Sequence, residues 1–150
     1  MYKKVLVTLD GSALSEIALE HVKAIAKGCN VGEVVLFRVL EPIHTYAGLG
    51  EDWYREADKR ARTRIQDYLA QTSAQLKKEG ITAKTVMAEG DAAGQILDYT
   101  SKNKVDLIIM STHGSSGVVR WMLGSVADRV VRHAQSPVLL ISAKGMKSST

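Results

Sequence analysis

Apolar residues along this chain alternate between short unbroken runs and recurrences at helical spacing. Val5 to Leu9 is a β-rich apolar run, and Asp10-Gly11-Ser12 follows it as a turn and helix N-cap. Leu14, Ile17, Ala18, Val22, Ile25 and Ala26 then recur every three or four positions, which predicts an amphipathic helix ending near Gly28. Val34 to Leu40 reads as a second strand. A loop from Glu41 to Asp52 leads into a long helix carrying Ala57, Ala61, Ile65, Leu69, Thr72 and Leu76 on one face, with Gly80 as its stop. Ile81 to Ala88 alternates like a half-buried edge strand. Asp91 caps a short helix with Ile96 and Leu97, and Val105 to Met110 is a fourth, almost wholly apolar strand. A last helix starting near Ser125 turns Val126, Val130 and Val131 inward, and Pro137 opens a final strand, Val138 to Ile141.

Strand and helix therefore alternate from one end to the other, with no break large enough to separate domains. This predicts one α/β domain over residues 1–150, ordered to about residue 143 with a short tail after it. Its architecture is an open, doubly wound parallel sheet with helices on both faces. The first, second and fourth strands have the continuous apolar character of strands covered on both sides. Ligands of such sheets bind beyond the carboxyl ends of the strands. That directs attention to Asp10 to Ser12, Leu40 to Pro42, Glu89 to Ala92, and the segment from Ser111 onward.

The last of these is the most unusual. It reads Ser111-Thr112-His113-Gly114-Ser115-Ser116-Gly117 and, after a further stretch, Gly124-Ser125 at the start of a helix. Glycines admit close backbone approach, hydroxyls and free N–H groups donate to anions, and a helix N-terminus adds partial positive charge. Together these features describe a phosphate-binding loop; the same small polar residues also suit an ordinary surface loop with a cap at Ser125. The P-loop pattern and the G-x-G-x-x-G fingerprint are both missing, which disfavours a P-loop NTPase or an ordinary dinucleotide enzyme.

Composition narrows the field without deciding it. The 150 residues are 45% hydrophobic and 24% charged, as in ordinary globular domains. The pI is near 9.2, yet 20 Lys and Arg are mixed with 16 Asp and Glu, so nucleic acid is not the expected partner. Only Lys144 and Lys147 form a basic tail. The lone Cys29 cannot make an internal disulfide. The N-terminal apolar run is too short for a signal peptide or a membrane span, so a cytoplasmic location without membrane contact is expected.

The combination of Lys4 to Val7 with Asp10-Gly11-Ser12, the Asp106 to Met110 strand, Ser111-Thr112-His113-Gly114, Gly124-Ser125-Val126-Ala127 and Ser136 to Ile141 resembles the universal stress protein family over nearly the whole chain. The resemblance implies a five-stranded sheet of order 3-2-1-4-5, like that of the adenine nucleotide alpha hydrolases, and a homodimer. One branch of the family binds ATP through G-x2-G-x9-G-[ST]. The second and third glycines of that pattern fall on Gly114 and Gly124, and its hydroxyl on Ser125; its first glycine is replaced here by Ser111. The resemblance further implies that Asp10 lies near the ribose and, indirectly, a phosphate-bound Mg²⁺. Val39 would meet adenine through its backbone, Thr8 and Met110 would line the pocket, and His113 and Val126 would stand at the phosphates.

From the residues alone His113 reads first as a structural loop residue, since no partnering base or nucleophile is evident from spacing. His21, His44 and His133 are isolated. Arg120, Arg129 and Arg132 could reach phosphates or simply decorate helices. Trp121 could pack over the site or against another subunit, and Trp53 and Tyr54 could belong to a lid or a helix start. The apolar strand Val138-Leu139-Leu140-Ile141 falls at a sheet edge, and pairing with its copy in a second subunit would cover it. Three functions follow: a dimeric, ATP-binding regulatory protein acting in stress response on an unknown protein partner, with at most slow or partner-dependent hydrolysis; a nucleotide-free dimeric interaction module; and, least favoured, an ATP pyrophosphatase relative.

Overall fold

The computed structural model describes residues 1–43, 48–113 and 123–142. Nine elements alternate along them: β1 (Lys4–Thr8), α1 (Ala13–Gly28), β2 (Glu33–Leu40), α2 (Glu51–Lys78), β3 (Ala83–Glu89), α3 (Ala92–Lys102), β4 (Leu107–Ser111), α4 (Ser125–His133) and β5 (Val138–Ile141). All strand pairs are parallel, in the order β3-β2-β1-β4-β5. The open five-stranded sheet expected from the alternation is thus present. Its order reverses direction between β1 and β4, which leaves a crevice at their carboxyl ends.

Alternation along each strand sorts the core into two layers. Val5, Val7, Leu36 and Leu40 pack with Ala18 and Val22 of α1 and Ile65, Leu69 and Leu76 of α2. Leu6, Val35, Phe37, Ile108 and Met110 pack on the opposite face with Ile96 of α3 and Ala127 and Val130 of α4. Leu6, Ile108 and Ile109 are fully buried; each such side chain contributes about 1.5–3 kcal/mol by leaving water.

Local signals place the helix starts. Ser12 caps α1 by accepting from the Ser15 N–H at 3.2 Å, and Asp10 Oδ1 accepts from the Ser12 N–H at 2.8 Å. Asp91 caps α3 by accepting from the Gly94 N–H at 2.8 Å. Some details differ from the sequence expectation: β1 is Lys4–Thr8 rather than Val5 to Leu9, and β3 is Ala83–Glu89 rather than Ile81 to Ala88. Val131 is 42% exposed rather than turned inward, because Ala127 and Val130, with Val126 packed beside them, fill the narrow inward stripe of this short helix. The fourth strand begins at Leu107 and not Val105. Val105 is buried, but its carbonyl accepts from Ser136 Oγ at 2.6 Å instead of joining the ladder. Cys29 is exposed. No helix among the described residues is long and apolar enough to cross a membrane.

Candidate functional site

The carboxyl ends of β1, β2 and β4 open into a cleft of about 470 Å³. Thr8 and Asp10 line it from β1 and the turn that follows, Val39 from β2, and Met110, Ser111 and His113 from β4 and the residues just after it. Gly124, Ser125 and Val126 close it from the start of α4. Nine of the ten residues singled out for the nucleotide thus share one cavity. The tenth, Gly114, lies outside the described residues, as do His44, Arg120 and Trp121.

The α4 side of the cleft is built from backbone. The Gly124 N–H donates to the Thr112 carbonyl at 2.8 Å, so the returning chain is drawn against the end of β4. A Cβ on Gly124 would stand 2.9 Å from that carbonyl oxygen and 3.4 Å from His113 Cα. Glycine is required there by proximity, since its φ of −59° is open to any residue. Gly124 also occupies the N-cap of α4 without a side-chain cap. The first N–H groups of a helix have no partner within it, and here they belong to Ser125, Val126 and Ala127, all of which line the cleft. They carry the positive end of the helix dipole toward it.

Ser111 stands where a glycine was expected from the family pattern. Its Oγ donates to the His113 carbonyl at 2.9 Å, tying the hydroxyl into its own turn. Thr112 is 8% exposed; its N–H donates to the Ile141 carbonyl at 2.9 Å, and its Oγ1 lies 3.0 Å from His113 Nδ1. The end of β4 is thereby fastened to β5.

One wall is apolar. Phe37, Val39, Ile96, Met110 and Ala127 come from β2, α3, β4 and α4, where a flat, weakly polar ring would find contact on several sides. Asp91 steadies this wall from outside the cleft. Arg129 Nη1 donates to both of its oxygens, at 2.9 and 2.8 Å, which joins the start of α3 to α4. The Gly94 N–H, and after it Arg129, hold the Asp91 carboxyl below the ordinary carboxylate range. Arg129 and Arg132 are both engaged by carboxylates, Arg132 by Asp128 at 3.0 Å. His21 and His133 are exposed and do not line the cleft.

Leu40 and Glu41, from the strand end marked in the sequence, line the other side, together with residues that sequence reasoning did not assign to the site: Leu9, Arg38, Ala61, Arg64 and Ile65. Arg38 was the legible signal, being a charged side chain inside the apolar run of β2. Ala61, Arg64 and Ile65 reach the cleft only because α2 packs on one face of the sheet with its first half beside the strand ends. Trp53 and Tyr54 form an edge-to-face pair at the start of α2, with ring centroids 5.0 Å apart, and do not line the cleft.

The sequence profile of the Universal stress protein family matches residues 1–142. Universal stress protein MJ0531 of Methanocaldococcus jannaschii is 34% identical over 142 residues, covering 94% of this chain and 82% of that protein. Universal stress protein MJ0577 of the same organism is similar in sequence and in structure. Its solved structure superposes with a TM-score of 0.87 at 29% identity, covering 97% of this chain and 99% of the other. A universal stress protein family protein from Arabidopsis thaliana, solved with AMP bound, shares the fold at a TM-score of 0.69 and 19% identity, over 98% and 97% of the two chains. With the strand order, the placement of the glycine-led helix and the whole-length match in agreement, the chain belongs to the universal stress protein family.

Proposed function

We propose that the cleft binds an adenine nucleotide, ATP with Mg²⁺ in the first instance, and that the protein is a nucleotide-responsive regulator. One observation carries this reading: an apolar wall and a bare helix N-terminus line a single cavity at the topological switch point. The base would lie against Met110 and Ile96 and meet the backbone of Val39. Asp10 would accept from a ribose hydroxyl. Phosphates would take N–H groups from Ser125 and Val126, the Ser125 hydroxyl, and groups of the segment from Ser111 through His113 and Gly114. Among the described residues no three His, Cys, Asp or Glu side chains converge. That donor set suits an ion carried by phosphate oxygens, with Asp10 acting on it indirectly. The AMP held by the Arabidopsis protein is in keeping with this choice of base.

The reading includes a homodimer. Val138 to Ile141 pair with β4 on one side only and stand at the sheet edge, where Val138, Leu139 and Leu140 are half-buried. A second copy of the strand would satisfy the free edge. The dimer would act in the cytoplasm through a protein partner.

Heat-denaturing the purified protein and separating the supernatant by ion-exchange chromatography should release an adenine nucleotide, or added Mg-ATP should raise the melting temperature. A protein that neither carries nor responds to ATP is instead a nucleotide-free dimeric module. Ser111 favours that second reading, since a side chain stands where the ATP-binding pattern has none.

A further inference from the structure

The side of the cleft lined from α2 has different chemistry. Along β2, Phe37 joins the core layer under α3 and α4, with Val39 packed against it, while Leu40 belongs to the layer under α1 and α2. The residue between Phe37 and Val39 therefore points the other way, and Arg38 lies over the Tyr68 ring of α2, its guanidinium carbon 5.1 Å from the centroid. Burial pushes the Tyr68 hydroxyl up, so the ring stays neutral beneath the cation. On its other side, Arg38 rests on the β1–α1 turn. A Cβ on Gly11 would stand 3.1 Å from Nη1 and 3.3 Å from Nη2. The ring and the side-chain-free turn hold the guanidinium like two plates and leave its N–H edge for a ligand.

Arg64 lines the same cleft from α2. Neither arginine meets a carboxylate within ion-pairing distance among the described residues. Arg62, two positions away on the same helix, meets Asp58 and Glu89, each at 2.7 Å. Two cations that form no ion pair among the described residues, one of them half-buried and braced, line a cavity that also holds the carboxylates of Asp10 and Glu41. Were the Asp10 carboxylate to accept from one ribose hydroxyl, the neighbouring ribose oxygen would stand in the same cleft that Arg38 lines.

We propose that Arg38 and Arg64 form a subsite for a phosphate on the ribose, so that the preferred ligand is an adenine nucleotide phosphorylated on its 2′ or 3′ oxygen as well as on the 5′ oxygen. The inference rests on the nucleotide reading above. Planar guanidinium forks match phosphate oxygens, and charge-assisted bonds of this kind are stronger than neutral ones. Asp10 needs the other hydroxyl free, so only one of the two positional isomers fits.

Isothermal titration calorimetry on the intact protein with AMP and the two adenosine bisphosphates, one phosphorylated at 2′ and one at 3′, tests this. One isomer should bind at least about tenfold more tightly than AMP. Arg38→Gln and Arg64→Gln should each bring that ratio toward one, and Arg38→Lys, which keeps charge but not the fork, should retain part of it. Should Arg38→Gln fold poorly by circular dichroism, the exposed Arg64 carries the test. Equal affinity of both bisphosphates and AMP for the wild type overturns the subsite while leaving the nucleotide cleft standing. A ratio unmoved by Arg64→Gln and Arg38→Gln also overturns it. Absence of binding by ATP, AMP and both bisphosphates removes the nucleotide reading itself, and the subsite with it.

Discussion

Two glycines stand at the cleft, Gly124 in its lining and Gly11 in the turn just past Asp10, and they are needed for unlike reasons. Gly11, after β1, has φ +82°, a conformation that L side chains rarely adopt, and it gives Arg38 its seat. Gly124, before α4, has an unremarkable φ and is required because the Thr112 carbonyl stands where a Cβ would go. The first is a conformational glycine beside a charged side chain; the second is a proximity glycine beside backbone. Side chains can yield by rotating, whereas a carbonyl fixed by its own hydrogen bond yields only if the strand end moves. The two walls should therefore respond differently to the same substitution, the α4 wall by displacement and the β1 wall by local strain.

Gly124→Ala breaks the comparison hardest. The added Cβ cannot stay 2.9 Å from the Thr112 oxygen, so α4 must withdraw and its N–H groups with it. A loss of about 1–3 kcal/mol of stability is expected from overpacking, together with loss of measurable nucleotide binding. Urea denaturation and calorimetry check the two effects separately.

Gly11→Ala should cost about 1–2 kcal/mol through left-handed backbone strain. Gly11→Asn should cost less, because asparagine tolerates that region. If both substitutions cost the same, the crowding against Arg38 and not φ sets the requirement. Urea titration of the two variants beside the wild type decides.

Ser111→Gly addresses the departure from the ATP-binding pattern. The hydroxyl is already spent on the His113 carbonyl at 2.9 Å, so removing it loosens the turn without opening much space. ATP affinity should change by about fivefold or less. A gain far beyond that would mean the serine obstructs the ligand.

The smallest effect is expected at Asp91, which supports the apolar wall from outside. Its carboxyl is held low by the Gly94 N–H and then by Arg129. A group with a depressed folded-state pKa stabilises in its charged form. Its contribution is complete above the ordinary carboxylate range near pH 4 and is lost as pH falls through the lower folded value. Asp91→Ala should lower the melting temperature slightly at pH 7, and the gap to the wild type should close below about pH 4. A gap that persists at acid pH would show that the side chain acts by something other than its charge.

Much of this was legible along the chain. The alternation of strand and helix, the turn at Asp10-Gly11-Ser12, the cap at Asp91 and the break between Ser111 and Ser125 are local signals, written in neighbours and in periodicity. Thr8, Val39, Met110 and Val126 were reached by a different route, through the family pattern, and they line the same cleft. Arg38 was visible as a charge within an apolar strand, but its role was not, because the meaning of that charge depends on a ring 30 positions later (68 − 38).

Sequence by itself determined the element types and the end of the sheet at which a ligand would enter, since both follow from side-chain rhythm and from the hand of the chain. Tertiary structure alone decided which residues meet there. Ala61, Arg64 and Ile65 enter the cleft because the first half of α2 lies beside the strand ends, and Val131 turns outward because Val130 already fills the space. Gly124 became indispensable only when the chain closed onto Thr112. Periodicity fixes which face of an element is apolar; the partner of that face is set by strand order and packing, which act between residues far apart in the chain.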